Sequence, residues 1–222
     1  SMTQKPLEEE QIQLFFSDIQ PLPTSKVLVQ LEKENLSIGQ RILAQELRLT
    51  VRGQDKIGII GPNGVGKSTL LAKFQQLLSA KREISLGFMP QDYHKKLQLD
   101  LSPIAYLSQT GRKEELQKIQ SHLASLNFSY PEMHHQIRSL SGGQQGKLLL
   151  LDLVLRKSNF LLLDEPTRNF SPTSQPEIRK LFASYPGGLI TVSHDRRFLK
   201  EVCTSIYRLT ENGLEVVDLQ DL

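Results

Sequence analysis

One run of nine residues limits what this chain can become more than any other: Gly61-Pro62-Asn63-Gly64-Val65-Gly66-Lys67-Ser68-Thr69. It fits G-x-x-x-x-G-K-[ST]. Before it stands Lys56-Ile57-Gly58-Ile59-Ile60, a short β-branched run that predicts a buried strand. After it, Leu70-Leu71-Ala72-Lys73-Phe74 continues at helical spacing and predicts a helix over roughly 66–79. Between strand and helix, glycines allow consecutive N–H groups to face inward and form an anion nest. The helix N-terminus adds its positive dipole end. Lys67 supplies a mobile positive charge for β- and γ-phosphates, and the Ser68 hydroxyl is placed to coordinate magnesium. A simple glycine-rich turn would need neither the lysine, nor the hydroxyl, nor the flanking strand.

The rest of the chain narrows the class. Its 222 residues suffice for one well-buried domain or two small ones, and a hydrophobic content of 38% is ordinary for a soluble globular chain. No apolar run approaches the roughly 20 residues that span a bilayer. The opening SMTQKPLEEE is acidic and polar, unlike a secretory signal, and Ser1-Met2 reads as an expression scar. Cys203 stands alone, so no internal disulfide forms, which suits a reducing, cytoplasmic setting. A net charge of +3 permits contact with nucleic acid or anionic lipid without arguing for either.

Read in order, residues 3–25 form a lead-in, with Glu8-Glu9-Glu10 ahead of Ile12, Leu14, Phe15 and Phe16, then a short strand and a turn around Pro21 and Pro23. Lys26 to Leu36 predicts an antiparallel edge strand and Ile42 to Val51 a second. Ile84 to Met89 predicts another strand, closing at Pro90-Gln91. From 92 to about 158 helical spacing takes over (Ile104, Leu107, Leu116, Ile119, Leu123, Leu126), broken by a turn-rich stretch from Asn127 to His135. A helix from about 143 to 156 follows. The core resumes at Phe160-Leu161-Leu162-Leu163, apolar throughout as in a parallel strand buried on both faces. A helix over Gln175 to Phe182, a strand over Gly188 to Val192, a helix over Arg196 to Val202 and a hairpin turning at Glu211-Asn212-Gly213 complete the pattern. The expected fold is α/β: a P-loop NTPase core with a mostly parallel sheet, an N-terminal antiparallel β-subdomain and an inserted helical subdomain.

Two further stretches carry chemistry. Asp164-Glu165 closes the apolar strand, where acids at the carboxyl edge of a parallel sheet face the ligand crevice. Asp164 is placed to hold the magnesium shell and Glu165 to polarise an attacking water. Leu140-Ser141-Gly142-Gly143-Gln144 opens a helix, so N–H groups and a dipole end can again meet phosphate. A Ser-Gly-Gly run is also an ordinary helix cap and turn.

With these motifs in order, residues 26–218 strongly resemble the ATP-binding cassette (ABC) ATPases. The resemblance implies ATP as substrate, with Mg2+. It implies that Gln91 reaches toward magnesium and the attacking water, so that Ser68, Gln91 and Asp164 hold the metal. His194, in Thr191-Val192-Ser193-His194-Asp195, matches the histidine that contacts the γ-phosphate. The catalytic set is then Glu165, His194 and Gln91. It further implies a second cassette as partner, because each ATP lies between one phosphate loop and the other cassette's Leu140–Gln144 loop.

Within that family the chain looks most like the second cassette of an ABC-F protein, on Leu162-Leu163-Asp164-Glu165-Pro166-Thr167, on Ser193-His194-Asp195-Arg196-Arg197-Phe198-Leu199, and on the short helical insertion. That class implies a ribosome or RNA partner and an action on translation or antibiotic resistance. A transporter ATPase with a membrane-protein partner, and a slow nucleotide-gated binding module, are the alternatives. Two positions depart from the pattern. Ser171 stands where the class has an aspartate. Ile38, in Leu36-Ser37-Ile38-Gly39, stands where the family has the aromatic that stacks on adenine. Such stacking contributes about 1 kcal/mol beyond area burial, so the change implies weaker adenine affinity and lower base selectivity.

Overall fold

The computed structural model describes Phe16 and residues 18–222. Ser1-Met2 and the acidic lead-in around Glu8-Glu9-Glu10, with Ile12, Leu14 and Phe15, lie outside the described residues. From residue 18 to the first strand the chain runs as turns and irregular backbone rather than the expected short strand. It is nonetheless core-forming. Phe16, Ile19 and Leu22 are buried, and Phe16 meets Tyr185 edge-on at 4.8 Å between ring centroids.

Two strands, β1 (Val27–Ile38) and β2 (Arg41–Arg52), pair antiparallel in a sheet of their own. Neither is an edge of the main sheet. Ile38 and Arg41 face each other across the turn at Gly39-Gln40, where Gly39 takes φ 58.

The main sheet holds β3 (Lys56–Ile60), β4 (Leu86–Met89), β5 (Phe160–Asp164), β6 (Gly188–Val192), β7 (Ser205–Thr210) and β8 (Gly213–Val217) in the order β4-β5-β6-β3-β7-β8. All neighbours are parallel except β7 and β8, which form the hairpin expected at Glu211-Asn212-Gly213. The fully apolar β5 is explained by its two faces. Leu161 and Leu163 point into the core shared with the helices α5 (Gly142–Leu155), α6 (Gln175–Ala183) and α7 (Arg196–Val202). Phe160 and Leu162 point into the core shared with α1 (Lys67–Ser79), β1 and β2. Each such burial stabilises by about 1.5–3 kcal/mol.

Between β4 and β5 lie α2 (Pro103–Leu107), α3 (Lys113–Ser125), α4 (Tyr130–His134) and α5. The turn-rich reading of Asn127–His135 is corrected by α4. Ser129 caps it in a reciprocal box with Glu132, and Pro131 sits in the first turn, where its missing N–H costs nothing. The parallel strands deliver the loop at Gly61–Gly66, then Gln91, Asp164-Glu165 and His194, all from their carboxyl ends. In an open α/β sheet that edge is where ligands bind.

Candidate functional site

The loop after β3 turns on positive-φ glycines: Gly61 at 154, Gly64 at 83 and Gly66 at 111. Gly66 is also the N-cap of α1, and having no side chain it leaves the helix N-terminus uncapped. Lys67 folds back from the first turn. Its Nζ donates to the Gly61 carbonyl and, at 3.3 Å, to that of Pro62, and meets His194 Nε2 at 3.2 Å. Lys67 as a whole is buried, with its ammonium partly so. Burial lowers its pKa, and the Glu165 and Asp164 carboxylates act against that shift.

At the end of β5, Ser68 Oγ donates to Asp164 Oδ2 at 3.5 Å. Burial raises the Asp164 pKa, the neighbouring charge of Glu165 raises it further, and the Ser68 hydrogen bond opposes both. Glu165 adopts φ 49, left-handed and uncommon for a residue with a Cβ. Its N–H donates to the Val192 carbonyl at 2.8 Å. Its carboxylate receives the His194 N–H at 3.3 Å on Oε2 and meets His194 Nδ1 on Oε1. A carboxylate facing Nδ1 places the ring proton there. Nε2 then offers its lone pair to Lys67. Lys67, His194 and Glu165 thus form a continuous chain from ammonium to carboxylate.

Around this chain lies a cleft of about 490 Å3. Asn63, Gly64, Gly66, Lys67, Ser68 and Thr69 line it from the loop, and Gln91, Asp164, Glu165 and His194 from the strand ends. Gly61 and Pro62 serve it through the carbonyls that hold Lys67, whereas Val65 turns to a neighbouring cleft. Ile38 reaches the rim, 58% exposed. Arg41, Leu43 and Arg168 line the same cleft and were not singled out from sequence, nor was Asn169, whose side chain donates to the Gln91 carbonyl at 3.4 Å. For Arg41 a signal existed: a two-residue turn at Gly39-Gln40 makes residues 38 and 41 partners.

The site fits its expected groups. The glycine nest and Lys67 suit a polyphosphate. Ser68 and Asp164, with the Gln91 side chain on the same cleft, offer oxygen donors of the kind magnesium takes. Burial first and the Glu165 charge second raise the Asp164 pKa, and a cation bound there would favour the ionised carboxylate.

The Leu140–Gln144 loop lies elsewhere. Leu140 is buried, and Ser141 caps α5 by accepting from the Gln144 N–H at 3.2 Å, while Gln144 Oε1 accepts from the Ser141 N–H at 3.0 Å. Ser141, Gly143 and Gln144 line a second cleft of about 480 Å3, together with Asn169, Phe170 and Ser171. It shares no lining residue with the first. A Cβ built on Gly142 or Gly143 would meet nothing within 4 Å among the described residues. One turn on, a Cβ on Gly146 would lie 2.6 Å from Phe170 Cζ and 3.0 Å from the Tyr93 hydroxyl. Ser171, in place of the expected aspartate, has its hydroxyl 3.1 Å from those of Thr173 and Ser174.

A family model described as "ABC transporter" matches residues 44–168. The chain is 30% identical over 210 residues to the probable ATP-binding protein YheS of Escherichia coli K12, covering 91% of this chain and 33% of that protein. It is 29% identical over 223 residues to ABC transporter F family member 2 of Arabidopsis thaliana, covering 96% and 32%. It therefore spans about a third of the length of these relatives. Among solved structures, the dimeric post-hydrolysis state of the ATP-binding cassette MJ0796 bound to ADP and Pi superposes with a TM-score of 0.70 at 18% identity, covering 86% of this chain and 98% of that one.

Proposed function

The chain belongs to the ATP-binding cassette family, and on that premise we propose that it binds magnesium-ATP and hydrolyses it where two cassettes pack head to tail. The reading rests on one convergence: Lys67, Ser68, Asp164, Glu165 and His194 surround a single glycine-lined cleft. An entering triphosphate takes over the Lys67 ammonium from the loop's own carbonyls. The nest N–H groups hold its oxygens, and Lys67 with His194 meets the γ-phosphate. Glu165, released from His194, accepts a proton from the water whose oxygen attacks the γ-phosphorus, and ADP leaves with the electron pair of the broken P–O bond. Ser68, Asp164 and Gln91 would hold magnesium, which would supply charge neutralisation at the phosphate oxygens.

The partner enters through Leu140–Gln144. Glycine within a helix costs about 1 kcal/mol relative to alanine, and the chain's own packing does not require it at 142 or 143. Space kept clear at a helix N-terminus suits a phosphate brought by a second cassette.

On this reading residues 26–222 are the ATPase domain, with a helical part at about 92–158, and residues 1–25 are a tag and lead-in segment whose residues 3–16 resemble the end of a linker between two cassettes. The whole protein is an ABC-F factor, cytoplasmic, with this chain as its second cassette and the ribosome as its partner. The ABC-F name of one relative supports this. The test uses the natural full-length protein carrying Glu165→Gln. Turnover is expected to fall at least ~100-fold, the scale of general-base catalysis, with ATP binding retained. Unchanged turnover removes Glu165 from its role. Co-sedimentation with ribosomes that requires ATP supports the translation reading. Recovery with an integral membrane protein replaces it with a transporter.

A further inference from the structure

The cleft around Lys67 meets another of about 500 Å3, and four residues line both: Ser68, Gln91, Asp164 and Arg168. The first three are the oxygen donors suited to the metal. Arg168 has no part in the reaction described above. Its backbone is held in place. Its N–H donates to the Glu165 carbonyl at 3.2 Å, closing a turn directly after β5. Before it, the Thr167 hydroxyl donates to Asp195 Oδ2 at 2.9 Å. After it, the turn is tied to α6, where Gln175 Nε2 donates to the carbonyls of Thr167 at 3.3 Å and Phe170 at 3.1 Å. The side chain is not held. It is exposed, and among the described residues its guanidinium has no hydrogen-bond or ion-pair partner. Asp164 and Glu165 line the same cleft, yet neither pairs with it. A tethered turn thus presents an unpaired cation to a cleft suited to polyphosphate.

We propose that Arg168 is a further catalytic residue, its guanidinium donating to two oxygens of the γ-phosphate of the ATP held by its own cassette. This deepens the ATPase reading above and rests on it. The metal donors mark which phosphate is meant, because a metal in such a site bridges β- and γ-oxygens. Arg168 borders that end of the cleft and not the Ile38 rim. As the water oxygen bonds to the γ-phosphorus and the bond to ADP breaks, charge spreads over the equatorial oxygens. A planar guanidinium matches two such oxygens at once. Glu165 takes the proton of the water and ADP takes the electron pair. Arg168 transfers no proton and stays charged throughout, so its contact strengthens only as the charge develops.

The test uses the natural full-length protein. Turnover at this site is the part that Glu165→Gln removes, and Arg168→Ala should lower that part about 100-fold, the scale of one donor aimed at developing charge. ATP affinity should stay within about threefold, because the contact is made mainly in the transition state. ADP with aluminium fluoride, which imitates the phosphoryl group in transfer, should bind about 100-fold more weakly. Arg168→Lys, which keeps the charge and loses the fork, should recover at most about tenfold. Melting curves should not move, since the side chain touches nothing in the folded chain. Unchanged turnover in Arg168→Ala would overturn the proposal. So would an equal loss of ATP and of the ADP–aluminium fluoride complex, which would make Arg168 a ground-state contact. Both outcomes leave the ATPase reading standing. An unmodified protein that hydrolyses no ATP would overturn that reading and the role of Arg168 with it.

Discussion

At the start of α1 the cap is Gly66, held at φ 111, and no side chain satisfies the helix end. At the start of α5 the cap is Ser141, locked with Gln144 in a reciprocal pair, and two glycines follow with open space around them. Both are glycine-rich helix N-termini, yet glycine does different work in each. In the first it bends the backbone at positive φ, and Lys67 folds back onto the loop's own carbonyls. In the second the backbone is ordinary helix, already capped, and glycine only removes bulk. On the proposed reading, one end holds a phosphate by itself and the other is approached by a second cassette. A helix dipole points out of both, so the dipole alone does not tell them apart; the presence or absence of a lysine and of a side-chain cap does.

The largest test of that contrast is Gly143→Ala. No described atom lies where the new methyl would go, so the folded chain should be as stable as before or up to about 1 kcal/mol more so. Nucleotide affinity should not change. Turnover should fall roughly 100-fold, the scale of a 1 Å misplacement, if another cassette's phosphate must come this close. Steady-state ATPase beside thermal melting and calorimetry checks it, and retained turnover would break the comparison. A smaller effect, on stability rather than turnover, is expected three residues on. Gly146→Ala forces a methyl into Phe170 and should cost about 1–3 kcal/mol in denaturant unfolding.

The smallest lies in the first cleft. The folded state raises the Asp164 pKa, so the ionised carboxylate costs stability. That cost is present in full above the raised value and gone below the ordinary aspartate range near 3.8. Asp164→Asn should raise the melting temperature near neutral pH by roughly 2–4 °C, the scale of 1 kcal/mol in a chain of this size. The gain should shrink as pH falls through that window. Melting curves from pH 7 to pH 4 would show it, and a gain that grows on acidification would reverse the sign argued here.

Much of the first cleft was legible in the sequence because its chemistry is local. Gly61 to Thr69 carry their meaning in nine successive residues and two flanking elements. Phe160–Leu163 announced a strand buried on both faces because nothing polar interrupts it. What stayed hidden depends on chain segments far apart. Phe16 joins the core through Tyr185, and no pattern near residue 16 announces it. The helix Tyr130–His134 was masked by Pro131, although Ser129 and Glu132 spell its cap. Arg41 enters the cleft because a separate sheet docks on Gly66, and Asn169 reaches the Gln91 carbonyl across a gap in sequence that no spacing rule spans.

Gly146 carries a consequence for ancestry. Its missing Cβ leaves the space that Phe170 and Tyr93 close on, so a larger residue at 146 alone pushes on the Phe170 ring and costs stability. A lineage enlarges residue 146 at least cost after residue 170 or 93 has become smaller, and the reverse order passes through a weakened chain. Substitutions at these sites should therefore be inherited as a set, in one preferred sequence of events.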